Sequence, residues 1–287
     1  MQTLEARQRA AAFRRLHAEP EPLILVNAWD AGSARVLEQT GAPAIATTSA
    51  GMAWSLGYSD GEQVPTGEFV AATARICRAV SVPVTVDIER GFGQSTDDVV
   101  AFVRTLIGLG VVGVNIEDGV LPDTHQLATP DVLSERIQAL REMATQMNAS
   151  LFINARTDTY FVANDDRVAR YSETVRRAQL YASAGADGIF VPGMDLDDAF
   201  PFARAVTLPV NLYAGGGGAP PVHVLRRAGV RRISLGCGPL QSVFGSLRTI
   251  AKEAFADGSY DAMNGHMLPF GDVNGLFATS APSTPEA

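Results

Sequence analysis

Three short stretches set acids and an arginine where a buried strand should end in apolar residues. VTVDIERGFG, residues 84–93, runs from β-branched residues into Asp87 and Glu89. GVNIED carries Glu117 and Asp118, and INARTD carries Arg156 and Asp158. A strand buried on both faces stays hydrophobic, so acids at its end either face solvent or hold something positive. Carboxylates gathered at one mouth raise each other's pKa unless a cation offsets them. Asp and Glu without neighbouring His or Cys favour Mg²⁺ or Mn²⁺ over Zn²⁺, and Mg²⁺ takes only one or two carboxylates directly. The expectation is a direct metal contact at Asp87, with Glu89 and Glu117 acting through water. The alternative is that these acids pair with nearby arginines as structural ion pairs.

A metal would also be the electrophile. Lys252 is the only lysine in the chain and lies in a late helical segment, far from any strand end, which disfavours a Schiff base. A 2-oxo acid can chelate a dication through its carboxylate and carbonyl oxygens, so that enolate charge is held as it develops. Arg156 can clamp a second anionic group bidentately, while Thr48, Ser49 and nearby backbone N–H groups can hold the first carboxylate.

Such residues must be brought to one place. Strand-like apolar runs occur at 23–27, 44–47, 84–87, 113–117, 151–155, 188–191, 209–212 and 232–235, each followed by a segment of helical periodicity. Ser95 and Thr96, with acids just behind them, read as a helix start. Eight β-α units at this length predict an α/β fold, a (β/α)8 TIM barrel, whose site gathers at the C-terminal ends of the strands. An open doubly wound sheet is the alternative. The expected division is an N-terminal helix over 1–22, the barrel over 23–256 and a C-terminal extension and tail over 257–287. Trp29 and Asp30 follow the first strand and can line the pocket, although Asp30 can equally cap the helix beginning at Ala31. Asn211 and the run Gly215 to Gly218 close the seventh strand, the glycines reading as an anion cradle or as a plain turn.

Composition narrows the function classes. The chain has 287 residues, 46% hydrophobic, enough for a large core. A formal net charge of −8 and a pI near 5.0 argue against nucleic-acid or anionic-membrane partners. No apolar run reaches the roughly 20 residues of a membrane span. The N-terminus reads as a polar amphipathic helix rather than a secretory signal, so a cytoplasmic location is expected. Cys77 and Cys237 form neither a CxxC site nor a disulfide framework and are expected to be packed or reduced thiols, Cys237 having the option of approaching the mouth. His17, His223 and His266 are expected to be structural.

Taken together, VNAWDAGSARVLEQTG, TTSAGMAWSLGYSDGE, VDIERGFG, VGVNIEDGVLP, INARTD and AGADGIFVPG closely resemble the isocitrate lyase and phosphoenolpyruvate mutase superfamily. The motifs run from residue 23 to about residue 240. The resemblance implies a (β/α)8 barrel, a Mg²⁺ site, 2-oxo acid or enolate chemistry, and homo-oligomers, often tetramers in which a C-terminal helix is exchanged. By the same resemblance Asp87 is the direct metal ligand, Glu89 a second acid and Glu117 the acid that holds metal-bound water. Asp60 is the acid beside the gating segment. Thr48, Ser49 and Ala50 bind the substrate carboxylate, Arg156 meets the substrate's second anionic group, and Asn211 is a polar substrate contact.

The departures bear on which reaction is expected. Isocitrate and methylisocitrate lyases carry Lys-Lys-Cys-Gly-His or a close variant after the fourth-strand acids, and here Gly119 to Gln126 hold neither cysteine nor lysine. In the phosphonopyruvate enzymes the gate has a lysine and usually an asparagine, which Asp123 and His125 replace. His125, on a closing loop, is a candidate acid or base, the alternative being an exposed loop histidine. The expectation is therefore a Mg²⁺-dependent carbon–carbon lyase or decarboxylase acting on a small 2-oxo mono- or dicarboxylate. The alternatives are a phosphonopyruvate-type hydrolase or mutase, and a 2-oxo acid binding protein with little turnover.

Overall fold

The computed structural model describes residues 4–119, 126–162 and 166–278. Nine parallel strand segments are arranged in the order β1-β9-β8-β7-β6-β5-β4-β3-β2. The segments are β1 (Leu23–Leu25), β2 (Asn27–Ala28), β3 (Ile45–Thr47), β4 (Val84–Asp87), β5 (Gly113–Glu117), β6 (Phe152–Arg156), β7 (Gly188–Phe190), β8 (Val210–Tyr213) and β9 (Arg232–Ser234). β1 pairs with β9 while β2 pairs with β3, and only Val26 separates the two. They are one strand interrupted, so the sheet closes into an eight-membered ring. The open doubly wound alternative is excluded, and each of the eight apolar runs supplies one member of the ring.

Helices α1 (Leu4–Ala18), α2 (Ala31–Gln39), α3 (Ser49–Leu56), α4 (Thr66–Ala79), α5 (Thr96–Gly108), α6 (Pro130–Gln146), α7 (Arg167–Ala184), α8 (Leu196–Ala205), α9 (Val222–Arg227) and α10 (Gly238–Ala256) follow in chain order. Two short helices, α11 (Asp261–Asn264) and α12 (Phe270–Gly275), end the described chain. Ser95 caps α5 in a reciprocal box with Asp98. Asp30 takes the second of its two expected roles: its side chain accepts Ser33 N at 2.7 Å and caps α2. α3 is absent from the sequence reading. It starts directly at the end of β3, capped by Thr48, and places Ser49 and Ala50 in its first turn.

The main core, including Val86, Val114, Ile153, Ile189 and Ile233, lies between the ring and its helices. A smaller cluster of Phe13, Leu23, Leu25, Ala46 and Phe152 fills the foot of the barrel, where α1 acts as a plug. His17 of α1 is buried, stacks on Phe152 at 4.1 Å between ring centroids and shares a 2.9 Å hydrogen bond from Nδ1 with the Phe13 carbonyl. Its role is structural, as expected from sequence. Among the described residues no helix is long and apolar enough to cross a membrane.

Burial, reinforced by the charge of Arg232, lowers the His17 pKa from 6.5 to about 3. Between those values the unfolded chain binds the extra proton, so this stabilisation is complete above about pH 6.5 and declines as pH falls. At about 1.4 kcal/mol per pH unit, acidification from pH 6.5 to 5 should cost about 2 kcal/mol through this residue. In urea denaturation across that range, His17→Phe, which retains an aromatic ring over Phe152, should show a correspondingly flatter acid limb than the parent protein.

Candidate active site

The ring brings the singled-out acids of β4 and β5 and the arginine of β6 to the C-terminal mouth. Asp87 ends β4, where its backbone N–H donates to Thr47 Oγ1 at 3.0 Å. One carboxylate oxygen, Oδ2, accepts both Ser49 N at 3.2 Å and Ser49 Oγ at 2.8 Å. The other, Oδ1, is buried and has no hydrogen-bond partner. The start of α3 thus fixes the orientation of Asp87 and leaves one lone-pair set for something positive.

Glu89 follows with φ of +50°, a left-handed conformation unusual for a residue with a Cβ. Its carbonyl still accepts Glu117 N at 2.9 Å, extending the β4–β5 ladder. Its carboxylate accepts Glu62 N at 3.1 Å. Burial, then the charges of Asp60 and Asp87, push the Glu89 carboxyl up to about 8. Glu62, whose backbone is also left-handed, takes Phe92 N at 2.8 Å and Arg90 Nη2 at 3.1 Å, tying the segment before α4 to the one after β4.

Glu117, at the end of β5, is raised well above the usual carboxylate range by burial, against the opposing pull of Arg156. Arg156 Nη1 lies 2.9 Å from Glu117 Oε2, although that oxygen accepts no well-aligned hydrogen bond. The arginine's fork is set by Asp158, which accepts Nε at 2.7 Å and Nη2 at 3.1 Å. The rings of Phe161 and Phe190 flank the guanidinium, each with its centroid 5.8 Å away. Arg156 is therefore held in one orientation by paired acids and aromatic faces. Asp60 is exposed at the rim, where the surrounding protein and the charge of Asp87 raise its carboxyl.

The other residues singled out from sequence take varied positions. Thr48 is buried and its Oγ1 accepts Gly51 N at 3.5 Å as the cap of α3. Ala50 is buried in the first turn of that helix. Trp29 is half-buried against α3, its Cβ 3.1 Å from where a Cβ on Gly51 would stand. Asn211 is fully buried, with Ser234 Oγ donating to its Oδ1 at 3.2 Å and its Nδ2 unpartnered. His125 lies outside the described residues. Lys252 is exposed near the far end of α10, about 20 Å along the helix from the strand ends, so it is no Schiff-base lysine for this mouth.

Asp118 does not share the fate of Glu117. It is buried away from the mouth, accepting Arg177 Nη1 at 2.8 Å, Tyr181 Oη at 2.7 Å and Asp158 N at 3.0 Å. For this acid the structural ion-pair reading is the right one. Sequence reasoning also overlooks Glu62, Arg90 and the pair formed by Tyr213 and Cys237. Tyr213 follows Leu212 at the end of β8 and hydrogen-bonds Cys237, a half-buried thiol that feels the charges of Asp60 and Asp87. Cys237 therefore does approach the mouth.

Among the described residues no three His, Cys, Asp or Glu side chains are drawn together as a ready-made metal cage. The donor set fits a hard dication held directly by one carboxylate oxygen, Asp87 Oδ1, with further acids one water away. A cleft of about 680 Å³ opens beside the mouth, with Arg90, Phe92, Glu117 and Arg136 in its wall.

Replacing Arg177 by Met should destabilise the chain by about 3–5 kcal/mol, because it strands a buried Asp118 carboxylate. Adding Asp118→Asn should recover a substantial part of that loss in chemical denaturation. Equal stabilities of the two variants would contradict the pairing.

The sequence model of the phosphoenolpyruvate phosphomutase family matches residues 13–255. An uncharacterized protein of Mycobacterium tuberculosis is 34% identical over 229 residues, covering 79% of this chain and 83% of its own. The oxaloacetate decarboxylase of a Bradyrhizobium species is 30% identical over 197 residues, 67% of this chain and 65% of that one. A Burkholderia cenocepacia crystal structure, provisionally described as a lyase/mutase, superposes with a TM-score of 0.89 at 32% identity, covering 97% of this chain and 98% of that one.

Proposed function

The chain belongs to the phosphoenolpyruvate phosphomutase family, and on that premise we propose that it is a Mg²⁺- or Mn²⁺-dependent enzyme acting on a small 2-oxo carboxylate. The reaction breaks or forms a bond at the carbon next to the carbonyl, with oxaloacetate-type decarboxylation or carbon–carbon cleavage suiting the site. The observation that carries this reading is Asp87: one carboxylate oxygen saturated by Ser49, the other buried and unpartnered beside acids that burial shifts upward, Glu89 to about 8. The likeness to an oxaloacetate decarboxylase supports the choice of substrate class.

When bound at Asp87, the dication supplies Lewis acidity toward the carbonyl oxygen of the substrate. The chain's own residues do the rest. Ser49 aims Asp87, and the first turn of α3, with Thr48 and Ala50, offers the positive end of a helix dipole to the carboxylate beside the carbonyl. Arg156 takes the far anionic group, its fork set in advance by Asp158. Glu89 and Glu117 hold their places through water. Proton delivery falls to water or to a residue of the segment after Glu117, His125 among them.

The assembled form is proposed to be a homo-oligomer. Phe244, Leu247 and Phe255 of α10, with Met267, Leu268 and Phe270 beyond it, are all exposed apolar side chains of one C-terminal region, and a second copy exchanging this region would cover them.

Calorimetric titration of oxaloacetate, pyruvate, 2-oxoglutarate and glyoxylate, with and without Mg²⁺, followed by product analysis, tests the reading. Metal-dependent binding with turnover is expected; binding without turnover would make the protein a 2-oxo acid receptor, and no binding would sink the site. Asp87→Ala should weaken Mg²⁺ binding about 100-fold or more, the loss of a sole direct ligand. A dication must expel the proton that Glu89 keeps up to about pH 8. Mg²⁺ affinity should therefore climb as pH rises through 7 to 8 and flatten above, with proton release visible as a buffer-dependent heat. Glu89→Gln should remove part of that slope.

A further inference from the structure

Arg232 is the largest of the fully buried side chains, 1% exposed, and among the described residues no carboxylate forms an ion pair with it. It opens β9, and its Nη2 donates to Asn115 Oδ1 on β5 at 3.1 Å. β9 and β5 stand opposite one another in the ring, with β8, β7 and β6 between them on one side and the β1/β2 strand, β3 and β4 on the other. The arginine therefore spans the barrel interior.

The barrel interior around it is closely packed. A Cβ on Gly113 would come within 3.0 Å of Thr85 Oγ1, and one on Gly188 within 2.6 Å of Asn154 Oδ1. The polar atoms around the guanidinium form one network. Asn115 Oδ1 also accepts Asn154 Nδ2 at 2.9 Å, and Arg232 Nε reaches Ser234 Oγ at 3.4 Å, which donates to Asn211 Oδ1. Each strand of this network carries a mouth residue two positions on: Glu117 after Asn115, Arg156 after Asn154, Tyr213 after Asn211. Asn115 is also the ladder partner of Asp87.

A buried guanidinium without an ion-pair partner is costly, because burial strips its charge of water and no carboxylate replaces it. Above it sit Asp60, Asp87, Glu89, Glu117 and Asp158, with Arg156 as their direct cation. We propose that Arg232 is a positioning residue, a resident counter-charge beneath the mouth that offsets the mutual repulsion of the carboxylates and thereby weakens the grip of the Asp87 site on a dication. Asp87 is the acid whose field Arg232 feels, and burial brings the guanidinium only down to about 9, so the charge persists at neutral pH. The inference rests on the metal-site reading of the preceding subsection.

The test is the affinity of Mg²⁺ alone, measured by calorimetry at pH 7, where the guanidinium is charged, on folded full-length protein. Arg232→Gln and Arg232→Met remove the charge, and Arg232→Lys replaces it with a group that burial discharges at a lower pH than the guanidinium. The Gln and Met variants should bind Mg²⁺ about tenfold tighter than the parent, while Lys falls between the parent and Gln. A merely structural role would lower the melting temperature without ordering the affinities by charge. Equal Mg²⁺ affinities across the folded variants, or weaker binding in Arg232→Gln, would overturn the counter-charge while leaving the metal site standing. If Met fails to fold, the Gln and Lys pair decides. No Mg²⁺ or Mn²⁺ binding by the parent protein would instead overturn the metal-site reading on which the inference rests.

Discussion

The constraint on which the rest of this structure depends is the repulsion between carboxylates packed at the mouth of a barrel. Around Asp87 converge Asp60, Glu89, Glu117 and Asp158, whose charged forms burial already disfavours. The fold answers with several devices. Ser49 saturates one oxygen of Asp87 from the start of α3. Arg156 sits between Glu117 and Asp158. Asp118, one residue from Glu117, is turned away and neutralised by Arg177 and Tyr181. Asp87 Oδ1 is left buried with no hydrogen-bond partner, and Glu117 Oε2 has only the nearby Arg156 charge, which is the feature the proposed metal site rests on.

Much of the scaffold was legible in the sequence because parallel barrel strands are buried on both faces and so stand out as short apolar runs. The eight runs fell at the eight strands with ends shifted by a residue or so. The break at Val26 was invisible, since nothing in LILVNA marks where one pairing hands over to the other. α3 was hidden for a different reason: SAGMAWSL is apolar nearly throughout, and a helix buried on most sides has no amphipathic period to detect.

The site was legible only as a list of types. Asp87, Glu89 and Arg156 were identifiable by their place after apolar runs. Glu117 and Asp118 are adjacent acids, and only the arginine 59 positions further along α7 separates their roles. Arg232 drew no notice in the sequence, since its partner Asn115 lies 117 positions away on the opposite strand. Asn211, expected to be a polar substrate contact, lies in the barrel interior with its Oδ1 accepting Ser234 Oγ and its Nδ2 unpartnered. These are facts of three-dimensional neighbourhood, and no local pattern encodes them.

The backbone of Glu89 carries one further implication. A residue with a Cβ at φ +50° sits about 1 kcal/mol or more above glycine in the same place. Selection for folding alone would therefore drift toward Gly or Asn at this position, relaxing the turn and removing a charge from a crowded pocket. On the proposed metal-site role of Glu89, an acid placed against both backbone and electrostatic preference is a point where thermostability and activity pull in opposite directions. Engineering the scaffold for heat resistance by entropy arguments would then gain stability at the cost of that proposed role.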